Sequence, residues 1–328
     1  MSSVSPRDPR RPGDRAAAGR LILATRGSPL ALAQANQVRA LLLAREPALD
    51  IVVESLRTTG DTFLDRPLSE IGGKGLFTKE LDEALLAKRA DIAVHSMKDL
   101  PTHLPPGLAL VVMLEREDPR DVWIGRAGAS LADLPTGALV GTASLRRGAQ
   151  ILAARPDLRT GIFRGNVQTR LKKLAAGEAA ATLLALAGLH RLGLKIGDGE
   201  LAGARVMPMA EMLPAPGQGA IGIVCREDDD AMRELLSPLG HAATMTTVTA
   251  ERAALEALDG SCRTPIAAFA ETDGTVVSLR VAIFSPDGSK SFRTARSGAT
   301  RDAQAMGMDA GGELRRQAGP NFFAELAR

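Results

Sequence analysis

The 328-residue chain has no tyrosine, one tryptophan and an aromatic content of only 3%. Stacking platforms for the bases of single-stranded nucleic acid are therefore poorly supplied. Cysteine occurs twice, which excludes a disulfide framework in so long a chain and fits a reducing compartment. No apolar run approaches the roughly 20 residues needed to cross a bilayer, and the start of the chain lacks the apolar core of a secretion signal. The expected location is the cytoplasm, with no membrane contact. Charge of one sign is not in excess either: 41 Lys+Arg face 38 Asp+Glu, a net +3. A basic site must then be local, built by arginines gathered in one place, and a nucleic-acid partner is not expected.

What is present reads as globular. Hydrophobic residues make up 45% and charged residues 24%, a balance suited to packed domains, and the length suggests two or three of them. Residues 1–20 are rich in Arg, Pro, Ser and Asp with almost no large apolar residue, the composition of a disordered tail.

The order of elements then repeats. A short apolar strand over 21–25 leads through Arg26 to Ser28-Pro29, an N-cap followed by proline at the first helical position. In the helix that follows, Leu30, Val38 and Leu41 share a face and Leu42 widens it. Arg26 stands where free N–H groups and the helix dipole favour an anion, a solvated surface arginine being the plain alternative. Strands are expected over 51–56, 90–95 and 108–114, with a Gly-rich turn, Gly72-Gly73-Lys74-Gly75, entering a helix between the first two. This is no Walker loop, because the Gly-Lys-Ser/Thr order is missing. Ser96, Lys98 and Asp99 lie at the carboxyl end of the third strand, where ligands bind in open parallel sheets.

After a charged crossing over 115–121, the pattern of strand, Thr, short gap, Ser cap and helix returns at 139–144, and Leu145-Arg146-Arg147 opens the helix. A strand over 160–163 precedes Arg164 and a helix with Arg170, and an apolar strand over 182–187 precedes Arg191. Five arginines after strand ends converge cations on one sheet edge, which favours a polyanionic ligand. A second Pro/Gly crossing, Leu213-Pro214-Ala215-Pro216-Gly217-Gln218-Gly219, leads to a strand that can return to the first lobe. From about residue 228 an alanine-rich helix pair, three strands and two final helices form an α+β unit. Cys262 sits at its start in the turn Asp259-Gly260-Ser261-Cys262-Arg263, where Arg263 favours the thiolate; Cys225 ends an apolar run and reads as a small buried hydrophobe.

The expected boundaries are a tail over 1–20, an α/β lobe over 21–114 and 215–228, a second α/β lobe over 115–214, and the α+β domain over 229–328. Two lobes joined by two crossings is the plan of the type II periplasmic-binding-protein-like fold. A cytosolic binding protein for a polycarboxylate is therefore a second reading of the same residues.

Several motifs make the chain resemble the porphobilinogen deaminase (hydroxymethylbilane synthase) family from about residue 21 onward. They are Ala24-Thr25-Arg26-Gly27-Ser28-Pro29-Leu30-Ala31-Leu32, Gly72-Gly73-Lys74-Gly75-Leu76-Phe77, His95-Ser96-Met97-Lys98-Asp99, Gly141-Thr142-Ala143-Ser144-Leu145-Arg146-Arg147, Arg164-Gly165-Asn166-Val167 and the second crossing. The resemblance implies a transferase of tetrapyrrole and heme biosynthesis that joins four porphobilinogens head to tail, with loss of ammonia, on a dipyrromethane cofactor. It implies thioether attachment of that cofactor at Cys262, with Ser261 standing where the family more often has glycine. Asp99 takes the catalytic place. Ser96, Lys98, Thr142, Ser144, Arg146, Arg147 and Arg170 are implied for the cofactor, and Arg26, Arg164, Arg191 and Phe77 for the substrate. No metal is implied, and the working form is expected to be a monomer.

Overall fold

The computed structural model describes residues 20–62, 75–258 and 264–327. Cys262, Gly72, Gly73, Lys74 and the tail over 1–19 lie outside the described residues. The chain begins with β1 (Arg20–Arg26), β2 (Asp50–Leu56), β3 (Ile92–Ser96) and β4 (Leu108–Met113). It then crosses to β5 (Asp121–Gly125), β6 (Leu139–Gly141), β7 (Arg159–Gly161), β8 (Ala181–Ala185) and β9 (Arg205–Val206), and returns as β10 (Ile221–Arg226).

The two sheets have the orders β2-β1-β3-β10-β4 and β7-β6-β8-β5-β9. Each has three parallel strands in the spatial order second, first, third, and each receives beside its third strand an antiparallel strand that has just crossed from the other lobe. The repeat seen in the sequence is thus a repeat of topology, and it is the plan of two type II periplasmic-binding-like lobes. Both faces of the first sheet are covered. Leu21, Leu23, Val38, Leu42 and Ile223 pack on one side, and Ala24, Leu81, Leu85, Ala93 and Val224 on the other.

Helices start where the sequence offers caps. Ser28 Oγ accepts the Ala31 N–H at the start of α1 (Pro29–Arg45), and α2 (Lys79–Leu86) buries Leu81 and Leu85. Ser144 Oγ accepts the Arg147 N–H at α3 (Leu145–Ala154), and Asn166 Oδ1 accepts the Thr169 N–H at α4 (Val167–Ala175). Such caps contribute about 1 kcal/mol each. Because α1, α3 and α4 each follow a parallel strand, their N-termini gather at the carboxyl edges of the two sheets.

Some local expectations shift. In α1 the buried face is Ala31, Gln34, Ala35, Val38 and Leu42, while Leu41 is 39% exposed; the stripe is centred about one position away from the leucines. The strand expected over 182–187 ends at Ala185 and gives way to α5 (Leu186–Arg191). A short apolar run does not separate strand from helix by periodicity, and here Leu186 and Leu189, one turn apart, both enter the core of the second lobe. The strand expected over 160–163 closes at Gly161, and β5 was not anticipated, because it begins inside the charged crossing.

Next come α6 (Asp230–Leu236), whose Met232 and Leu236 join the core of the first lobe, and α7 (Ala242–Ala257). Strands β11 (Ile266–Thr272), β12 (Val276–Phe284) and β13 (Ser291–Ala299) form an antiparallel meander packed against α7 and α8 (Ala303–Ala327). Helix α8 is kinked at Gly319, just before Pro320. This smaller α+β domain grips both crossings through one carboxylate. Glu251 on α7, fully buried, accepts from Arg116 Nη1 at 2.6 Å and Nη2 at 3.0 Å, from Gly217 N at 2.7 Å and from Ala270 N at 2.8 Å.

Candidate active site

The carboxyl edges of the two sheets face each other, and the polar side chains collected there form the site. From the first lobe, Asp99 closes a single turn of 3-10 helix, Met97–Asp99, directly after β3. Its carboxylate pairs with Arg26 at the end of β1, 3.4 Å away, rather than with its neighbour Lys98. The Arg26 guanidinium lies 4.2 Å from the Phe77 ring centroid, so aromatic face and carboxylate together fix it. Ser96 Oγ accepts from Gln34 Nε2 at 2.9 Å; Gln34 is buried on α1 and had no place in the sequence reading.

His95 is buried behind this group. Burial, and then the charge of Arg26, push its imidazole down to about 4, so it is neutral near pH 7. Lys98 is open to solvent from the cleft, yet protein crowds it closely from both lobes. That desolvation, opposed by Asp99 and Asp121 and reinforced by Arg147 and Arg146, brings its ammonium down to about 8.

The second lobe supplies the arginines, and they are not free. Arg147 donates from Nη2 to Asp121 Oδ1 at 2.7 Å and from Nη1 to Leu183 O at 2.9 Å. Arg146 Nη1 lies 2.8 Å from Asp121 Oδ2 and donates to Leu213 O at 2.7 Å. Gln218 Nε2, from the second crossing, donates to Asp121 Oδ1 at 2.9 Å. Burial drives the Asp121 carboxyl up, but Arg146 and Arg147 overcome it and hold the group far below the usual carboxylate range. Asp121 and Gln218 were missed as site residues. The sequence places Asp121 in a charged linker, and its partner Arg147 comes 26 residues later.

The remaining candidates are brought to the same region with their polar atoms largely engaged. Thr142 Oγ1 accepts the Ser144 N–H at 3.1 Å, and the Ser144 hydroxyl caps α3. Arg170 Nε donates to Gly165 O at 3.0 Å; burial first, then Arg147 and Arg164, depress its guanidinium to about 10. Arg191 donates to Gly219 O at 2.7 Å, and burial lowers its pKa as well. Arg164 reaches across the cleft to Gly60 O at 3.3 Å. Arg146 Nε is buried and, among the described residues, has no hydrogen-bond partner. Cations crowded until they depress one another, with a buried guanidinium N–H unmatched, suit a ligand that carries carboxylates. Among the described residues, no cluster of His, Cys, Asp and Glu could hold a metal ion, and no helix is long and apolar enough to cross a membrane.

The family model described as "Porphobilinogen deaminase, dipyromethane cofactor binding domain" matches residues 21–234, and "Porphobilinogen deaminase, C-terminal domain" matches residues 245–316. The chain belongs to the porphobilinogen deaminase family. A porphobilinogen deaminase of Nitrobacter hamburgensis is 53% identical over 307 residues, covering 93% of this chain and 96% of that one. A chloroplastic porphobilinogen deaminase of Oryza sativa subsp. japonica is 54% identical over 314 residues, covering 93% and 86%. Among solved structures, the periplasmic VFT2 domain of Bordetella pertussis BvgS aligns with a TM-score of 0.42 at 14% identity, covering 69% of this chain and 88% of that one. At that score the sheet orders, not the neighbour, carry the fold. As a porphobilinogen deaminase the chain is a transferase of porphyrin biosynthesis that acts on porphobilinogen and uses a dipyrromethane cofactor. The binding-only reading is set aside.

For a porphobilinogen deaminase the state of Lys98 has a consequence for the rate. An ammonium attracts carboxylates only while protonated, and that form is lost as pH rises through about 8. Because Lys98 is expected at the carboxylates of the cofactor, kcat is expected to fall above about pH 8 in the wild type and to hold there in Lys98→Arg, whose charge persists. Initial rates against substrate concentration between pH 7 and 9 test it; parallel profiles would sink the assignment.

Proposed function

We propose that Asp99 is the catalytic carboxylate of this porphobilinogen deaminase, that Cys262 carries the dipyrromethane through a thioether, and that the cleft arginines hold the carboxylates of cofactor and substrate. The observation that carries the reading is the Asp99 carboxylate, oriented by Arg26, at the centre of a cation-lined cleft between two lobes. The residues present fit the cofactor: Lys98, Arg146, Arg147 and Arg170 offer cationic donors to its acidic side chains, and the buried Arg146 Nε finds no acceptor among the described residues. When bound, the dipyrromethane supplies the free pyrrole carbon to which incoming units add.

The chain's own residues then have separate tasks. Loss of ammonia from porphobilinogen leaves a positively charged azafulvene-like pyrrole, and a fixed carboxylate beside it stabilises that charge without reorganising. Asp99 Oδ2 is anchored by Arg26, which leaves Oδ1 available to face the pyrrole nitrogen and to take up or return a proton. Arg26, Arg164, Arg191 and Phe77 line the route of the incoming unit, guanidinium forks matching acetate and propionate groups. Asp121 keeps Arg146 and Arg147 aimed while the cleft is empty.

Kinetics of Asp99→Asn test the reading. The substitution preserves shape and removes charge, and kcat is expected to fall by about 10²–10⁴, with porphobilinogen consumption and ammonia release falling together. Full activity in that variant would overturn it.

A further inference from the structure

Arg252 follows Glu251 on α7, and neither composition nor motif singled it out. Its guanidinium gathers three successive main-chain carbonyls of the first lobe: Nη1 donates to Leu100 O at 2.9 Å, and Nη2 to Pro101 O at 2.6 Å and Thr102 O at 3.1 Å. Those carbonyls come immediately after the Met97–Asp99 turn, which closes through the Leu100 N–H donating to Met97 O at 3.2 Å. The other side of the turn is also gripped. Met97 N donates to Ala220 O at 3.0 Å. Gly217 has φ +72° and packs so closely that a Cβ there would stand 2.9 Å from Met97 Cβ and 3.3 Å from Lys98 N. Gly217 N is in turn held by Glu251.

Two consecutive residues of α7 thus hold the turn from both sides, Glu251 through the second crossing and Arg252 through the loop that leaves it. We propose that Arg252 is a positioning residue for the reaction: by fixing the Leu100, Pro101 and Thr102 carbonyls it sets where the Asp99 carboxylate stands, so that α7 links the third domain to the catalytic turn. The proposal rests on the reading of Asp99 as the catalytic carboxylate.

The chemistry favours arginine here. Three acceptors spread along a bending backbone require several donors held in one plane, which a guanidinium supplies and an ammonium does not. Burial lowers the pKa of Arg252, yet a guanidinium remains charged at any working pH. Four residues further along α7, Glu256 approaches His103 at 3.6 Å, but that pair is largely exposed and adds little registration. Arg252 is therefore a stronger polar tie between α7 and this loop than that pair, beside Val248 of α7, which is buried in the same core cluster as Met97 and Leu100.

The test is a double-mutant cycle on the purified holoenzyme, its cofactor load verified by intact mass. Asp99→Asn alone is read first; if it retains full activity, the Asp99 reading fails and this proposal with it. Given the expected loss there, Arg252→Ala in the wild-type background should lower kcat by about 10²-fold, the size of effect that a displacement near 1 Å produces, with KM for porphobilinogen nearly unchanged. Arg252→Lys should recover part of it. In the Asp99→Asn background, Arg252→Ala should change the residual rate by less than about twofold, because the group it positions is gone. An unchanged kcat in Arg252→Ala, or the same loss in both backgrounds, would overturn the proposal in favour of a structural role alone. If Arg252→Ala does not yield folded holoenzyme, Arg252→Lys takes its place in the cycle and is read the same way.

Discussion

Replacing Cys262 with serine is expected to give a protein whose intact mass is that of the chain alone, while the wild type from cells able to make porphobilinogen is heavier by two linked pyrrole units. Activity should disappear with the added mass. The effect is large because it is chemical: thioether formation needs a sulfur nucleophile, and a serine hydroxyl, essentially un-ionised near neutral pH, does not replace a partly ionised thiol. Cys225 offers no second route. It lies in the core of the first lobe with no exposed surface, and burial, seconded by Asp229, raises its thiol to about 11. Added mass on both proteins would move the attachment away from Cys262, and added mass on neither would end the covalent mechanism.

Asp121→Ala is expected to destabilise the protein by about 3–5 kcal/mol, the usual consequence of removing one member of a buried ionic group. Against total stabilities of about 5–15 kcal/mol, that leaves a protein poorly folded or unable to accumulate. Two guanidiniums with side chains only 6% exposed would lose their shared counter-ion, and Gln218 would lose an acceptor between the crossings. Arg205→Ala is the control. Arg205 pairs with Glu211 at 2.8 Å, but both side chains are nearly half exposed, at 47% and 45%, and such pairs contribute about 0–1 kcal/mol. Denaturant unfolding of the two variants beside the wild type tests the contrast; equal midpoints would show that Asp121 is not the anchor of the arginine pair.

The family, the enzyme and the two-lobe plan with its third α+β domain were legible in the chain itself. Caps, crossings and periodic apolar runs act over a few residues, so Ser28, Ser144 and the strand preceding each could be read directly. The second strand-cap-helix pattern announces a second sheet, and the expected dipyrromethane cofactor agrees with the family model.

What only the tertiary structure decided is which charge meets which. Asp121 is one more acid in a charged linker until folding sets it between Arg146 and Arg147; Gln34 is one more polar helix residue until α1 packs behind Ser96. Arg252 finds its carbonyls about 150 positions earlier in the chain. Local rules set elements because hydrogen bonds and side-chain spacing along one segment suffice for them. Partners in a buried ionic site are chosen by the crossing of two lobes and the docking of a third domain, distances no stretch of sequence contains.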